Sequence, residues 1–375
     1  MSDYLRPGLL MVAFALLGAC GGARDEDGDA AGIPEERVLN VYNWDYYIGE
    51  STIADFEAKT GINVTYDTYD STEVMETKLL TGHSGYDIVV ASHARVTRFI
   101  GAGALRKVDK SKLRNLPNMD PEIMRIATTL DPGNEHGFPY LWGTTGLGYN
   151  PDMVEKVLGT STLDSLSAVF DPTIASKLAS CGITWLDAPE TMFELAFIYL
   201  GVDANSQRLE DQAAAEALLT RVRPYVRYFH SSQYVNDLAS GEVCVAISWT
   251  NGVMEARLRG AEAEAPVEIV YAIPKEGAPL WFDLIAIPID APHPDNAHAF
   301  LDYIMEPKVI AAITNKVGQP NSNAASIPFV IETLLNDPAV YPTKDVFARL
   351  ALEANWSPET SRNITRAWTR IRTGK

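Results

Sequence analysis

The pattern of apolar and polar residues along Val38–Asp70 predicts a strand, a helix and a second strand. A continuous apolar run at Tyr86–Ala91 follows, and it is typical of a parallel strand that is buried on both faces. Strands and helices of similar length keep alternating further along the chain. This alternation predicts an α/β fold built on a parallel or mixed sheet with crossover helices.

The later part of the chain continues this pattern. Asp70-Ser71-Thr72-Glu73 matches a capping box, which predicts a helix that runs to Leu80. The stretch Pro139–Asn150 is rich in glycine and aromatic residues and suits an extended crossing between two lobes, with the turn Pro274–Gly277 as the return crossing. A chain of 375 residues is too long for one small core and fits two lobes of roughly 100–200 residues each. Further predicted strands are Cys244–Trp249, Val267–Ile273 and Leu280–Ile287, and further predicted helices are Pro151–Leu158, Pro189–Leu200, Leu209–Val222, Pro294–Met305 and Ser361–Arg372.

Residues 1–20 have the pattern of a targeting segment. Arg6 precedes the apolar run Gly8–Leu17, which is too short to span a bilayer as a helix. The run ends in Leu17-Gly18-Ala19-Cys20, which resembles the lipobox of bacterial lipoproteins, where the signal is cut before the cysteine and the thiol carries the lipid. An ordinary cleaved signal with an incidental Cys20 is the alternative. Residues 21–37 are acidic and lack a hydrophobic period, so they predict a flexible tether, and no later run is apolar enough to predict a transmembrane helix.

Composition narrows the classes of function. The hydrophobic fraction of 46% and charged fraction of 21% are those of an ordinary soluble protein, and the net charge of −18 repels nucleic acid and favours cations. The sequence has no Gly-x-Ser-x-Gly elbow, no phosphate-binding Gly-x4-Gly-Lys-Ser/Thr loop, no His-Glu-x-x-His helix and no Cys-x-x-Cys pair. His293 and His298 lie beside prolines and fit a surface loop better than a metal site. We therefore expect no enzyme activity, no cofactor, no metal and no nucleic-acid partner.

Aromatic residues recur at the ends of predicted strands. Trp44-Asp45-Tyr46-Tyr47 follows the first strand, Trp249 ends a later one, and Trp281 and Asp283 lie two apart on another, so both face the same side. Ligands of open α/β sheets bind outside the carboxyl ends of strands. Aromatic faces bind a cation, and a carboxylate fixes an ammonium group by a charge-assisted hydrogen bond. These residues thus indicate a site for a cationic ligand, although such side chains also pack in cores and between lobes.

The cysteines leave two interpretations open. If Cys20 carries a lipid, Cys181 and Cys244 remain as a pair, each beside a strand-like segment. An exported protein retains disulfides, so a bridge fits this pattern, and two buried free thiols fit it as well.

Segments spread over Leu39–Lys375 match one known family. They are NVYNW, FEAKTGINVTYDTYDS, KVDKSKL, PYLWGTTGLGYN, SCGITWLDAPE, RYFHSSQYVNDLASGEVCVAISW, IPKEGA and TRAWTRIRTGK. In these segments the chain resembles the periplasmic polyamine-binding proteins of ABC transporters, particularly the putrescine-binding branch. The resemblance implies the type II periplasmic-binding-protein fold, with two α/β lobes, two hinge crossings and a ligand cleft between the lobes. It assigns residues 38–143 and 282–327 to lobe 1 and residues 144–281 and 328–375 to lobe 2, and it implies a Cys181–Cys244 disulfide.

The resemblance also implies a ligand site. Four positions match the family's aromatic cage, namely Trp44, Tyr47, Trp249 and Trp281. Ser92 matches a polar contact at a strand end. Asp283 matches the carboxylate that anchors one amine.

Other positions of this site depart from the family pattern. They are Asp45 where serine or threonine is common, Tyr46 in place of an acid, Thr191 in place of a glutamate, Gly252 in place of an aspartate and Gln319 in place of a tyrosine. Asp45 is then the nearest carboxylate for a second positive charge, with Glu190 in reserve. In the alternative interpretation, Asp45 caps the helix that begins near Ser51 or faces solvent.

Together these observations predict an extracytoplasmic solute-binding protein of an ABC transporter. It would capture a polyamine-like cation of the putrescine/spermidine class and deliver it to a permease in the inner membrane. The predicted location is the periplasm, with an N-terminal lipid holding the protein to a bacterial membrane. A ligand-sensing subunit of the same fold, which signals to a membrane receptor, would have the same pocket and is the alternative.

Overall fold

The computed structural model describes residues 35–69, 72–353 and 356–374. Glu36–Lys375 form one compact unit. The predicted signal of residues 1–20, nearly all of the predicted tether and the capping residues Asp70 and Ser71 lie outside the described residues. No helix within the described ranges has both the length and the apolar character needed to cross a membrane.

Strands and helices alternate as the sequence predicts. The strands are β1 (Val38–Trp44), β2 (Asn63–Tyr69), β3 (Ile88–Ser92), β4 (Gly137–Tyr149), β5 (Ile183–Trp185), β6 (Val226–Phe229), β7 (Val245–Trp249), β8 (Val270–Ala272), β9 (Ala278–Ala286) and β10 (Leu350–Leu352). The helices are α1 (Thr52–Thr60), α2 (Thr72–Leu80), α3 (His93–Gly101), α4 (Pro121–Ala127), α5 (Pro151–Leu158), α6 (Ser167–Phe170), α7 (Pro172–Leu178), α8 (Pro189–Leu200), α9 (Leu209–Val222), α10 (Gln233–Ala239), α11 (Thr250–Glu262), α12 (Pro294–Ile304), α13 (Pro307–Val317), α14 (Glu332–Leu335), α15 (Lys344–Phe347) and α16 (Pro358–Thr373). Short 3₁₀ segments lie at Lys110–Lys112, Leu116–Asn118, Arg223–Tyr225 and Ala324–Phe329.

The strands form a mixed sheet in the order β2-β1-β3-β9-β4-β7-β5-β6, with β10 beside β9 and β8 beside β4. The pairs β1–β2, β1–β3, β5–β6, β5–β7 and β9–β10 are parallel, whereas β9 is antiparallel to β3 and β4, and β4 is antiparallel to β7 and β8. The prediction of a parallel or mixed sheet with crossover helices is therefore confirmed.

The long strand β4 lies in the middle of the strand order and joins the two halves of the sheet. It pairs with β9 through Gly137–Thr144 and with β7 and β8 through Thr145–Tyr149. All thirteen of its residues are buried. The extended conformation predicted for Pro139–Asn150 is thus found, in one continuous strand shared by both halves of the sheet.

Buried apolar residues form separate clusters around the two halves of β4. One cluster contains Leu147, Phe193 and Trp368 and extends from β4 to α16. Another is built on β1, β3, α12 and α13 and includes Leu39 and Ile313. The exact lobe boundaries given above remain a prediction.

Helix ends follow the local sequence closely. The Asn150 side chain accepts the Met153 backbone N–H at the start of α5, Pro151 occupies the first helical position, and Gly159 ends the helix with φ of 76°. The predicted bounds of α5, α8 and α9 are confirmed.

Several predicted bounds differ from the structure. The strand predicted at Tyr86–Ala91 is Ile88–Ser92, the strand at Val267–Ile273 is only Val270–Ala272, and the strand at Leu280–Ile287 begins earlier, at Ala278. Strand β10 was not predicted at all. Strand ends depend on the partner strand, which a local pattern does not contain.

The cysteine pair is bridged. Cys181, just after α7, and Cys244, just before β7, form a disulfide with a Cα–Cα distance of 5.5 Å. The predicted disulfide is confirmed, and the alternative of two free thiols is wrong.

Candidate ligand-binding site

Three predicted residues lie on one face of the sheet around β9. Trp281 and Asp283 are two residues apart on β9, and Ser92, at the end of β3, pairs directly with Asp283. Directly paired residues of neighbouring strands point to the same face. Gly143 of β4 pairs with Trp281, and a Cβ atom at this position would collide with the indole ring. The glycine therefore leaves the room that Trp281 occupies on this face.

A hydrogen-bonded group joins Tyr47, Asp283 and Gln319, all of which are buried. The Tyr47 hydroxyl lies 2.8 Å from Asp283 Oδ2 and 2.7 Å from Gln319 Oε1. A hydroxyl has one proton, and the ionised carboxylate is the stronger acceptor, so Tyr47 donates to Asp283. Rotating the Gln319 amide lets its N–H₂ group donate to Tyr47, and Gln319 Nε2 has no other partner in the described part of the chain.

Burial gives Asp283 an unusual acidity. Its pKa is raised to about 6, chiefly because burial disfavours the charged form. The hydrogen bond from Tyr47 and the nearby His93 and Trp44 rings oppose this rise, whereas the negative charge of Glu353 adds to it. Asp283 is thus mostly ionised at pH 7, and no ion pair within residues 35–69, 72–353 and 356–374 gives it a cationic partner. A ligand ammonium group in this position would provide one.

Aromatic rings surround this carboxylate. The Trp44 ring lies 4.3 Å from the Tyr69 ring with a tilt of 47°, and the Tyr47 ring meets Tyr140 edge-on at 5.7 Å. Tyr69 and Tyr140 were not predicted as site residues. Burial raises the pKa of Tyr47 and Tyr140 well above the ordinary value, so both hydroxyls stay protonated and act as donors.

Asp45 and Tyr46 lie outside this buried group. Tyr46 is 81% exposed and has φ of 54°, which is an uncommon conformation for a residue with a side chain. Asp45 is exposed, and its carboxylate accepts the Tyr46 N–H at 3.1 Å. Helix α1 follows its N-cap residue Ser51 and has no side-chain capping hydrogen bond at this end. Of the interpretations left open for Asp45, this position agrees with the one in which it faces solvent.

The remaining predicted residues lie on β7, α8 and α11. Trp249 is partly buried where β7 ends, and Thr191 is buried in the first turn of α8. Within the described ranges, neither residue forms a hydrogen bond or ring contact with Tyr47 or Asp283. At Gly252 of α11, a Cβ would collide with the buried Tyr234 hydroxyl. The Tyr234 side chain thus fills the space that the family's aspartate would need.

Sequence reasoning missed Glu353, which directly follows β10. Its N–H donates to the Leu280 carbonyl of β9 at 2.9 Å. Burial, and then the charge of Glu190, raise its pKa, while Arg95 lowers it. No motif marks this residue, and its place beside β9 depends on the unpredicted strand β10. No group of three or more His, Cys, Asp or Glu side chains suited to a metal ion occurs within residues 35–69, 72–353 and 356–374.

The chain is similar to known proteins over most of its length. The family model of bacterial extracellular solute-binding proteins matches residues 51–341. The chain is 43% identical over 371 residues to the putrescine-binding periplasmic protein SpuD of Pseudomonas aeruginosa, with 99% of each chain covered. It is 44% identical over 343 residues to the putrescine-binding periplasmic protein PotF of Escherichia coli, covering 91% of this chain and 93% of PotF. The Tp0655 (TpPotD) lipoprotein of Treponema pallidum has a TM-score of 0.78 and 25% identity, covering 90% of this chain and 99% of that one.

These similarities extend over nearly the whole chain. They confirm the two-lobe α/β fold that the resemblance implies. The similar proteins are binding proteins, which confirms the expectation that this chain is not an enzyme. The chain belongs to the family of bacterial extracellular solute-binding proteins.

Proposed function

We propose that this protein captures a polyamine-like cation of the putrescine/spermidine class in the periplasm and delivers it to the permease of an ABC transporter. The observation that supports this most directly is the Asp283 carboxylate, which is buried beneath aromatic rings and held by Tyr47. An ionised carboxylate without a cation is costly to bury. A ligand ammonium group, enclosed by aromatic faces, would offset that cost.

The names of the relatives support the ligand class. SpuD and PotF are putrescine-binding periplasmic proteins, and a further relative, 38% identical over 364 residues, is a putrescine/agmatine-binding protein of Pseudomonas aeruginosa. The net charge of −18 favours the approach of cations. These names also favour transport over the signalling alternative, which has no comparable support.

Isothermal titration calorimetry tests the proposal. Putrescine, spermidine and agmatine are titrated into the wild type, with γ-aminobutyrate as a ligand that carries a carboxylate in place of one amine. At least one of the polyamines should bind, and γ-aminobutyrate should bind far more weakly because Asp283 and the acidic surroundings repel its carboxylate.

Two variants locate the binding site. Asp283→Asn keeps the shape but removes the charge, and breaking a buried charge pair costs about 2–5 kcal/mol, which corresponds to roughly 30-fold or more in Kd. Glu359→Gln, at an exposed carboxylate in the first turn of α16, is the matched control and should leave Kd unchanged. Binding of none of the amines by the wild type, or equal affinity of wild type and Asp283→Asn, contradicts the proposal.

A further inference from the structure

Strands β3 and β10 approach each other along one edge of β9. Strand β4 occupies the other edge, so β3 and β10 share the remaining one. Strand β3 is antiparallel to β9 and ends at Ser92, opposite Asp283. Strand β10 is parallel to β9 and ends at Leu352, opposite Leu280. The carboxyl ends of β3 and β10 therefore face each other across a gap of two residues of β9.

A small apolar cluster, separate from the large ones, lies at this gap. Its members on the strands include Trp142, Leu280, Phe282, Leu350 and Leu352. In the lobe assignment predicted from the sequence, β4 passes from lobe 1 to lobe 2 after residue 143, and β9 returns to lobe 1 at residue 282. The cluster thus lies where the chain is predicted to cross between the lobes, and we call it the hinge cluster.

His93, the first residue of α3, bridges the gap with its side chain. The residue is fully buried. Its Nε2 lies 3.0 Å from the carbonyl oxygen of Glu353, the residue after β10, and its Nδ1 lies 3.3 Å from the backbone nitrogen of Phe282. The imidazole also meets the Phe282 ring edge-on at 6.4 Å. One side chain therefore joins α3, β9 and the segment after β10 beside the hinge cluster.

The protonation state of His93 fixes the direction of both hydrogen bonds. Burial lowers the pKa of His93, and the nearby carbonyl groups and the charge of Asp283 oppose this effect only in part. The ring is therefore neutral at pH 7 and carries one N–H. Because a carbonyl only accepts, Nε2 donates to Glu353, and the unprotonated Nδ1 accepts the N–H of Phe282. Both ring nitrogens are thus used by backbone groups.

We propose that His93 is a positioning residue of the hinge, which holds the two lobes relative to each other by linking the end of β3 to the segment after β10. In the predicted lobe assignment, His93 and Phe282 belong to lobe 1 and Glu353 belongs to lobe 2. The bond of Nε2 then crosses the hinge, the bond of Nδ1 stays within one lobe, and the lobes rotate about this link when they enclose a ligand. This inference rests on the proposed function only where polyamine affinity is a readout.

Two substitutions of His93 separate the bond across the hinge from the bond within lobe 1. An asparagine amide ends at about the position of Nδ1, so His93→Asn can keep the contact with Phe282 but does not reach Glu353. A glutamine amide extends to about the position of Nε2, so His93→Gln can still donate to the Glu353 carbonyl. His298→Asn is the matched control, because His298 is buried and both its ring nitrogens contact backbone groups of lobe 1.

The distance between the lobes is measured first, without ligand. Spin labels at Ala58→Cys on α1 and Ala217→Cys on α9, two exposed helical positions, report this distance by double electron–electron resonance. The full chain also carries Cys20→Ser, and Cys181 and Cys244 are bridged, so only the two introduced thiols react with the label.

His93→Asn should widen the distance distribution at least twofold, because a link between the lobes is lost. It should also weaken putrescine and spermidine by the same factor, about three- to tenfold, because the lost hydrogen bond contacts neither ligand and no longer prepares the lobes for closure. His93→Gln should keep the width and both Kd values within twofold of the wild type. His298→Asn should lower the unfolding free energy, measured in urea, without changing the width or either Kd more than twofold.

A measurement on the wild type alone keeps the inference testable if a variant does not fold. In protein labelled with ¹⁵N-histidine, NMR at pH 7 should show a slowly exchanging Nε2–H of a neutral, buried ring, and this signal should persist when putrescine is added. We expect no such signal from the other histidines, because three of them use Nδ1 as the donor and two are exposed. The three are His136, His293 and His298, and the two are His83 and His230.

The outcomes separate this inference from the proposed function. The role of His93 is overturned by an unchanged distance distribution in His93→Asn, by an equal change in His93→Gln or His298→Asn, or by losses that differ more than twofold between putrescine and spermidine. Absence of the Nε2–H signal, or its loss on addition of putrescine, overturns it as well. A wild type that binds no polyamine overturns the proposed function instead, and the ligand-free distances and the Nε2–H signal then still decide the role of His93.

Discussion

At the level of single residues, binding and stability oppose each other at Asp283. Burial raises its pKa to about 6, so the ionised form that binds a cation is the form that the ligand-free fold disfavours. A carboxyl group with a raised pKa contributes its stability while protonated. That contribution is lost as the pH rises from the ordinary pKa of 3.8 through about 6.

Replacing Asp283 by asparagine should therefore stabilise the ligand-free protein at pH 7. We expect the unfolding free energy of Asp283→Asn to exceed that of the wild type by at most about 3 kcal/mol at pH 7, with the difference shrinking toward pH 4. Urea unfolding of both proteins at pH 4, 5.5 and 7 measures it. A difference that does not vary with pH would show that Asp283 does not titrate as described.

The same ionisation sets the pH dependence of binding. A cation binds the ionised carboxylate, so the affinity of wild type for putrescine should fall as the pH falls through about 6. The fall approaches about tenfold per pH unit below that value. Calorimetric Kd values between pH 5 and 8 give the slope, and in Asp283→Asn the slope should be shallower. A Kd that stays constant over this range contradicts the expected titration.

At the level of elements, the disulfide ties α7 to β7. Cys181 and Cys244 are 63 positions apart, and closing a loop of this size stabilises by roughly 3–5 kcal/mol through the entropy of the unfolded chain. The double variant Cys181→Ser/Cys244→Ser should lose about this much unfolding free energy. Its Kd for putrescine should stay within twofold, because Trp249 lies at the opposite end of β7. Chemical denaturation of the oxidised wild type and the variant compares them, and equal stability would contradict the expectation.

The elements that could be predicted carry their own boundary signals. Proline at the first helical position and glycine just after the last fix α5 and α8, and Trp281 and Asp283 of β9 lie two apart on one face as predicted. Strand β10 has three residues and exists because β9 offers it a free edge, so no local pattern reveals it. The anchor Asp283 was therefore predictable, whereas Glu353 was not.

The conformation of the turn after β1 could not be predicted from the sequence, for a different reason. Asp45 and Tyr47 are two positions apart, and both were predicted to lie in the site. In the structure Tyr46 has φ of 54°, Tyr47 is buried and Asp45 is exposed. A local pattern contains neither this left-handed residue nor the packing around it, so it does not tell which side chain reaches Asp283.

At the level of the whole molecule, the site collects residues from distant parts of the folded chain. Tyr47 follows β1, Asp283 lies on β9 and Gln319 follows α13. A ligand held by these residues links segments as far as 272 positions apart in sequence. Binding should thus stabilise the folded unit as a whole, by about 2.7 kcal/mol when the ligand is present at a hundred times its Kd.

The prediction for the N-terminus concerns Cys20 and the place where the folded unit would work. The sequence LGAC predicts cleavage before Cys20 and a lipid on its thiol, and residues 21–37 would then tether the binding unit to the membrane. Acyl chains hold a protein by burying their methylene groups in the bilayer, and stable anchoring takes more than one chain. Cys20→Ser should therefore remove the protein from the membrane fraction and abolish labelling by radioactive palmitate, while Kd for putrescine stays unchanged. The double variant Cys181→Ser/Cys244→Ser is the matched control, since it removes the other two cysteines of the chain and should still be labelled. A Cys20→Ser protein that remains in the membrane fraction would show that a lipid on Cys20 is not what anchors it.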